Sequence, residues 1–272
     1  NTAHDIAAFD WNGDGYADYL LSFCTTAGDG KVYARLLLVD GKSLYEKSTN
    51  SSAEAPKYYY VNGGGTAIGV RAELFYVISY RMALGDFDGD GKAEAAINFF
   101  RGTESIDNNN RLEVYKIKCN SNGEFDFSQI YAEDIGSYPI ACSVGLAAGD
   151  INGDGRDELA LLTPVPDSGT VWGNMIKINV YQWKGSAFAK TVNSAPTDAA
   201  MATFMYASIS PVNAAIADLD GDGLGELAWT VPDFTEDGGF QLNLYVNDWN
   251  LQKGADVTGA GAQYRYNLHD FD

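Results

Sequence analysis

Residues 10–18 read Asp-Trp-Asn-Gly-Asp-Gly-Tyr-Ala-Asp, an acidic segment with glycines at its fourth and sixth positions. The same nine-residue pattern returns at residues 86–94, 150–158 and 218–226. The first aspartates of successive copies lie 76, 64 and 68 residues apart. Self-similarity at a nearly constant spacing is typical of repeat proteins, in which each repeat is one structural unit. The nine-residue pattern therefore predicts both what the loops bind and that the chain is built from repeats.

The chemistry that this pattern predicts is calcium binding. Calcium takes six to eight oxygen ligands at ~2.3–2.6 Å, and a short loop with an oxygen at every second residue can wrap it. Positions 1, 3, 5 and 9 offer side-chain oxygens, and position 7 offers its backbone carbonyl. The predicted ligands are Asp10, Asn12, Asp14, Tyr16 and Asp18; Asp86, Asp88, Asp90, Lys92 and Glu94; Asp150, Asn152, Asp154, Arg156 and Glu158; and Asp218, Asp220, Asp222, Leu224 and Glu226.

There are three alternatives to four calcium-binding loops. An EF-hand needs twelve positions, a closing Glu at the twelfth and a helix on each side, whereas here the closing carboxylate comes at the ninth. Magnesium requires a near-octahedral shell at ~2.0–2.1 Å and keeps bound waters, which suits a crowded anionic loop less well. Solvated Asp-Gly turns without metal remain open for a single copy, but four copies in register favour metal.

Composition limits the classes of partner. The chain has 272 residues, is 46% apolar and has a formal net charge of −19. The loops contribute 14 carboxylates at predicted ligand positions, so four bound Ca²⁺ would bring the net charge to about −11. We therefore expect no binding to nucleic acid or to an anionic membrane surface. No apolar run approaches the ~20 residues needed to span a bilayer, so we expect no membrane insertion.

Between the loops the pattern is that of strands. Residues 240–247 alternate strictly, with Phe240, Leu242, Leu244 and Val246 on one side, and period two indicates a β-strand. Each repeat is predicted to have one strand entering the loop, one leaving it, an alternating third strand and a less certain fourth, such as residues 58–61 or 188–192. No segment shows a convincing helical stripe. Four-stranded units in tandem predict an all-β fold of β-propeller blades.

The last residues resemble the start of another repeat. Residues 264–272 align without gaps on residues 80–88 and share six identities with them. We therefore expect about four blades and a truncated fifth repeat, with repeats at about 1–73, 74–138, 139–203 and 204–263 and the start of a fifth at 264–272. Together they form one propeller domain or part of one. Without an initiator Met or a signal peptide, residues 1–272 are expected to be an internal piece of a longer protein.

These loops and their spacing resemble the FG-GAP/VCBS repeats, the calcium-binding blades of β-propellers like those of integrin α-subunits. The resemblance covers essentially the whole chain. It implies that the loop joins strands one and two of a blade and that four structural Ca²⁺ are bound there. It also implies that partners meet the opposite face, where the predicted loops are residues 101–110, 164–174 and 232–239, with Trp172 and Phe234 among them.

Three functions follow as hypotheses. The first is a non-catalytic extracellular binding or adhesion module with a protein or glycan ligand, since calcium sites of this class suit a location outside the cell. The second is a repeated unit of a surface filament or secreted assembly, in which copies of the chain contact one another. The third is a polysaccharide lyase or hydrolase, which we do not expect because the only histidines are His4 and His269 and no nucleophile motif is present.

The cysteines do not indicate a disulfide framework. Cys24, Cys119 and Cys142 are an odd and sparse set, each in or beside an apolar segment, and buried free thiols are the expected state. A bridge between Cys119 and Cys142 is an open alternative.

Overall fold

The computed structural model describes eleven segments of the chain. They are residues 4–26, 31–60, 66–70, 80–101, 109–137, 144–166, 174–193, 197–201, 212–234, 240–247 and 264–268. These segments contain eighteen β-strands and one α-helix, arranged as four antiparallel sheets. The prediction of an all-β fold built from four-stranded propeller blades is confirmed.

The first two sheets lie in residues 4–137. The first sheet consists of β1 (His4–Phe9), β2 (Asp18–Thr26), β3 (Lys31–Val39), β4 (Tyr58–Tyr60) and β5 (Thr66–Val70). The second consists of β6 (Tyr80–Gly85), β7 (Glu94–Arg101), β8 (Asn109–Cys119) and β9 (Phe125–Ser137). In both, strands that follow one another in sequence are neighbours in the order β1-β2-β3-β4 and β6-β7-β8-β9.

The other two sheets repeat this arrangement. The third sheet consists of β10 (Gly145–Gly149), β11 (Glu158–Pro166), β12 (Asn174–Trp183), β13 (Phe188–Asn193) and β14 (Thr197–Met201). The fourth consists of β15 (Asn213–Ala217), β16 (Glu226–Phe234), β17 (Phe240–Asn247) and β18 (Tyr264–Leu268). Their orders are β10-β11-β12-β13 and β15-β16-β17-β18.

Each acidic loop connects the first two strands of a sheet. Phe9 is paired with Asp18, Gly149 with Glu158 and Ala217 with Glu226, so the residue before the loop lies opposite its ninth position. The strands predicted on each side of the loops are therefore confirmed. This register brings the two ends of the nine-residue loop together, as a site that uses both ends requires.

The fourth strand of a blade differs between sheets. The strands expected near residues 58–61 and 188–192 are present as β4 and β13. In the first sheet β4 pairs with one half of β3 and β5 with the other, and β13 and β14 share β12 in the same way. In these two sheets the fourth position is thus filled by two short strands, although the sequence analysis expected one.

Residues 264–268 also differ from expectation. Their sequence predicts the first strand of a fifth repeat, but β18 pairs with β17 as the last strand of the fourth sheet. Residues 269–272 lie outside the described residues, so the rest of the expected fifth repeat stays a prediction.

The chain divides into two compact units, each with its own core. One unit contains residues 1–84 and 91–141, and the other contains residues 85–90 and 142–272. In the first, Trp11 of the first loop and Leu20 and Leu38 of the first sheet pack with Ile97 and Phe99 of the second sheet. The core of the second unit is formed by apolar residues of the third and fourth sheets, among them Ile151, Leu162, Ile178, Val180, Leu227 and Trp229.

The helix corrects the expectation that no helical segment exists. α1 (Gly41–Thr49) follows β3, and the carboxylate of its N-cap, Asp40, accepts a hydrogen bond from the backbone N–H of Ser43 at 2.7 Å. Within the helix only Gly41 is buried. A helix without an apolar face has no periodic pattern to detect, which is why the sequence analysis missed it. No helix in the described segments is both long enough and apolar enough to cross a membrane.

Candidate metal centres

The four loops share one backbone shape. The glycines at positions 4 and 6 of every loop have φ between 71° and 87°, a region that residues with a Cβ rarely adopt. This turn directs backbone N–H groups at the carboxylate of position 1. Asp10 accepts them from Gly13 at 2.8 Å and Gly15 at 2.9 Å, and Asp150 accepts them from Gly153 and Gly155. The first predicted ligand is thereby held at the centre of its loop.

The same contacts recur in the other two loops. Asp218 accepts hydrogen bonds from Gly221 at 2.7 Å and Gly223 at 3.1 Å, and Asp86 accepts them from Gly89 and Asp90. A short acidic side chain bonded to backbone N–H groups a few residues ahead is the usual stabiliser of such turns. The loop geometry therefore follows from the Asp and Gly positions in the sequence.

The carboxylate at position 9 closes the loop. Asp18 accepts a hydrogen bond from the backbone N–H of Trp11, Glu158 from that of Ile151 at 3.0 Å, and Glu226 from that of Leu219 at 2.7 Å. In each case the donor is position 2, so the last predicted ligand lies beside the first.

The closing carboxylates are also buried, which raises their pKa. Asp18 and Glu158 are fully buried, and burial of the charged form raises the pKa of Asp18 to about 6 and that of Glu158 to about 7. Glu94 and Glu226 are buried as well. Burying carboxylates is costly unless positive charge or hydrogen bonds compensate them, and a divalent cation would supply that charge.

Two loops bring three carboxylates into one cluster. The ligand oxygens of Asp86, Asp88 and Asp90 lie within 4.8 Å of one another, as do those of Asp218, Asp220 and Glu226. Oxygens on opposite sides of a calcium ion are about 4.8 Å apart at typical bond lengths, so this spacing fits the ion. Because all the donor atoms are oxygens, a hard cation such as Ca²⁺ is the metal expected to bind.

The first and third loops have an amide at position 3. Asn12 and Asn152 each accept the backbone N–H of position 5 through Oδ1, at 2.9 and 2.8 Å. The Nδ2 of Asn152 donates to Glu158 Oε1 at 2.7 Å. The first and third loops thus keep an oxygen donor at position 3 but have one carboxylate fewer.

The remaining predicted ligands are placed by local contacts. The carboxylates of Asp14, Asp154 and Asp222 at position 5 accept the N–H of position 7, from Tyr16, Arg156 and Leu224 respectively. The predicted role of the backbone carbonyls of Tyr16, Lys92, Arg156 and Leu224 stays a prediction.

The side chains at position 7 contact neighbouring residues, although only their backbone carbonyls are predicted ligands. The Tyr16 ring lies 5.3 Å from that of Tyr45 on α1, and Lys92 Nζ donates to the carbonyl of Trp11 at 3.3 Å. Arg156 packs beside Gly89, and Leu224 packs beside Gly153.

Two contacts near the loops were missed from the sequence. The backbone N–H of Gly41, at the start of α1, donates to Asp18 Oδ1 at 2.9 Å. Lys116 Nζ on β8 lies 3.5 Å from Glu94 Oε1. Both partners are distant in sequence and neither belongs to the motif, so no local pattern could reveal them.

Several predicted features fall outside the described residues. The loops assigned to the opposite face lie largely at residues 102–108, 167–173 and 235–239, with Trp172 among them, and Phe234 ends β16 without a described side chain. Cys119 is a free cysteine, whereas Cys142 lies outside the described segments, so a bridge between them stays untested.

Comparison with known proteins agrees with this geometry. The model of the FG-GAP-like repeat family matches residues 86–161, which run from the first aspartate of the second loop to three residues past the third. A search of curated proteins returned no match. The matched segment has the same loop and strand order as the rest of the chain, and an FG-GAP-repeat propeller suggests a binding module. The match of this segment to an FG-GAP-like repeat and the four-stranded sheets together support an FG-GAP β-propeller.

Proposed function

We propose that this chain is a non-catalytic binding module that acts outside the cell and is stabilised by structural calcium in its four acidic loops. The observation on which the metal proposal rests is the pair of carboxylate clusters in the second and fourth loops, with ligand oxygens within 4.8 Å of one another. Without a cation, the carboxylates within each loop would repel one another. Bound calcium supplies positive charge, and the loop residues supply the oxygens and hold them in place.

The structural role of calcium follows from where the loops lie. Each loop joins the first two strands of a sheet, and its closing carboxylate is buried at the start of the second strand. An ion held by both ends of the loop would fix this hairpin. Because the unfolded chain has no preformed site, binding free energy becomes folding free energy.

The test is thermal unfolding of the chain in calcium, in magnesium and in EDTA. At a free calcium concentration about 100 times the Kd of a site, binding to that site contributes about 2.7 kcal/mol to stability. For a domain of this size, 1 kcal/mol corresponds to a rise of about 2–4 °C in Tm. We expect a clearly higher Tm in calcium than in EDTA and a smaller rise in magnesium.

A matched pair of variants localises the effect. Asp220→Ala removes one carboxylate from the fourth-loop cluster and should reduce the calcium-induced rise in Tm. Asp126→Ala removes an exposed carboxylate of β9 and should leave that rise unchanged. An unchanged Tm in EDTA relative to calcium would mean that the loops are ordinary turns.

For the ligand, we propose a protein or a glycan. Tyr58 and Tyr60 on the edge strand β4 expose 61% and 52% of their surface, and their rings lie 5.9 Å apart. Tyrosine is enriched at binding surfaces, and exposed aromatic groups are candidates for ligand contact. The double variant Tyr58→Ser, Tyr60→Ser should weaken the binding of a ligand found in a screen of glycans and extracellular proteins, and unchanged binding would show that this pair does not contact the ligand.

The two other hypotheses predict different outcomes in the same screen. Release of shortened or unsaturated sugars from a bound polysaccharide would favour a lyase or hydrolase. Concentration-dependent self-association in calcium would favour a building block of a filament or secreted assembly. Binding without turnover and without self-association is the outcome that the proposed function requires.

A further inference from the structure

Neighbouring acidic loops are joined through their backbones in the unit that contains residues 85–90 and 142–272. The N–H of Asp157, at position 8 of the third loop, donates to the carbonyl of Asp86, at position 1 of the second loop, at 3.0 Å. In the same way the N–H of Gly225 in the fourth loop donates to the carbonyl of Asp150 in the third at 2.8 Å. Position 8, which we did not predict to bind metal, thus reaches the first predicted ligand of the preceding loop.

The junction at Asp157 has a second hydrogen bond. The N–H of Asp86 donates to Asp157 Oδ2 at 2.8 Å, so that both backbone polar groups of Asp86 are held by Asp157. The other loops have Ala17, Ala93 and Gly225 at position 8, none of which has a carboxylate. This two-way contact is therefore specific to the second and third loops.

The junction is also tightly packed. A Cβ added to Gly85 would lie 2.9 Å from Ala148 Cβ and 3.0 Å from Asp157 Cβ. Such distances leave no room for a side chain, so Gly85 allows the strand before the second loop to approach the third loop closely. Asp86 follows directly and has little freedom to shift relative to Asp157.

Asp86 has two roles in the second loop, as hydrogen-bond acceptor and as a member of the carboxylate cluster. Its Oδ1 accepts the N–H groups of Gly89 and Asp90 at 2.8 and 2.9 Å, and its carboxylate belongs to the cluster with Asp88 and Asp90. Fixing the backbone of Asp86 therefore fixes the side chain around which this cluster is arranged.

We propose that Asp157 is a positioning residue for the metal site of the second loop, so that this site is completed by the following repeat. Asp157 acts through its hydrogen bond to the N–H of Asp86 and does not itself bind the ion. The inference rests on the proposed function, because it requires that the second loop holds metal.

The test is calorimetric titration of calcium into the full chain and its variants. Asp157→Ala removes the acceptor for the Asp86 N–H and should lower the calcium affinity of one site by up to about tenfold, the size expected for the loss of one ordinary hydrogen bond. Asp157→Asn keeps an acceptor oxygen and should titrate like the wild type. Asp126→Ala is the matched control for loss of a carboxylate elsewhere and should also titrate like the wild type.

A double-mutant cycle assigns the effect to the second loop. Asp88→Ala disables that loop, and adding Asp157→Ala to it should produce no further change in the remaining sites. Loss of the hydrogen bond to Asp86 should lower Tm in EDTA, and the calcium-induced rise in Tm should in addition be smaller in the variant than in the wild type. A merely structural role would lower both Tm values equally.

The outcomes separate the two proposals. A wild-type chain that binds no calcium would overturn the proposed function itself. Calcium binding that is unchanged by Asp157→Ala, a loss that persists on the Asp88→Ala background, or an Asp157→Asn variant as weak as Asp157→Ala would overturn only the role of Asp157.

Discussion

Lys116 places a positive charge beside a residue predicted to bind a positive ion. Its Nζ lies 3.5 Å from Glu94 Oε1, and the Lys116 and Glu94 side chains are only 14% and 1% exposed. Without metal, this contact compensates a buried carboxylate. With metal bound in the second loop, the positive charge of Lys116 would lie near the positive charge of the ion and repel it. The same side chain is thus expected to favour the calcium-free fold and to oppose calcium binding.

Replacing Lys116 should therefore change the two states in opposite directions. Lys116→Met keeps most of the side-chain volume and removes the charge. Breaking a buried ion pair costs about 3–5 kcal/mol, so the free energy of unfolding in EDTA should fall by up to that amount. The calcium-induced gain in stability should rise. Denaturant unfolding in EDTA and in calcium measures both quantities, and Lys118→Met, an exposed residue of the same strand, is the control.

A decrease in both quantities would contradict this interpretation of Lys116.

The raised pKa values of two closing carboxylates predict how pH acts on the calcium-free protein. Burial raises the pKa of Glu158 from 4.5 to about 7 and that of Asp18 from 3.8 to about 6. For each group, at pH values between its ordinary pKa and its raised pKa, the folded state holds a proton that the unfolded chain has lost. The contribution of these two groups to stability is therefore present at low pH and is lost as pH rises through about 4 to 7.

Calcium binding should show the reverse dependence on pH, because the ion must displace those protons. We expect calcium affinity to rise between pH 5 and 7 and to level off above that range. Calorimetric titrations at a series of pH values measure the calcium affinity. Glu158→Gln, which cannot titrate, should weaken binding and flatten the profile. An affinity that is constant over this range would show that neither carboxylate binds the ion.

At the scale of elements, the helix α1 is attached directly to the first loop. The N–H of Gly41 donates to Asp18 Oδ1, and a Cβ on Gly41 would lie 1.9 Å from the carbonyl oxygen of Ala17. That distance is far inside van der Waals contact, and the neighbouring atom belongs to the backbone. The helix can occupy its place only because residue 41 is glycine.

The variant Gly41→Ala should separate the helix from the loop. The clash and the lost hydrogen bond to Asp18 should lower the free energy of unfolding by about 1–3 kcal/mol, although alanine favours helices more than glycine does. Lys42→Ala, at the adjacent and exposed position of the same helix, should be nearly neutral. Chemical denaturation monitored by circular dichroism measures both. Increased stability of Gly41→Ala would show that helix propensity outweighs the contact.

How far the elements could be predicted depends on where their determinants lie in the sequence. The strands beside the loops can be predicted because each loop motif marks where one strand ends and the next begins. The same motif gives the sequence position of each predicted ligand. α1 was missed because its side chains are mostly exposed and its location depends on contacts of Asp40 and Gly41. The pairing of β18 with β17 was missed because residues 264–268 resemble a first strand in sequence.

The contacts around the candidate site divide in the same way. Hydrogen bonds within a loop follow from the spacing of Asp and Gly, whereas those of Asp157 to Asp86 and of Lys116 to Glu94 join residues from different parts of the chain. A single sequence holds no record of which distant residues meet. The motif therefore predicted the candidate ligands but not the residues that position them.

For the whole molecule, the excess of negative charge is the dominant electrostatic feature. The formal net charge is −19, and 14 carboxylates occupy the predicted ligand positions. Like charges concentrated in this way oppose the compact state when no cation is bound. Screening by salt weakens the repulsion between exposed charges.

Raising the concentration of KCl should therefore increase Tm in EDTA and have a smaller effect in saturating calcium. The reason is that four bound ions would already reduce the net charge to about −11. Differential scanning calorimetry at low and moderate KCl measures the two slopes, and sodium in place of potassium controls for specific ion effects. Equal slopes in the two conditions would show that the loops do not contribute the repulsion.

Trp11 gives the first loop a spectroscopic property that the others lack at the same position. Its indole is fully buried, donates from Nε1 to the carbonyl of Ala93 at 2.7 Å, and follows the first predicted ligand, Asp10. The equivalent residues are Phe87, Ile151 and Leu219. Because the chain has five tryptophans, the part of the tryptophan emission that Trp11→Phe removes would report on the first loop. Lanthanide luminescence could follow occupancy of that loop without a chemical label.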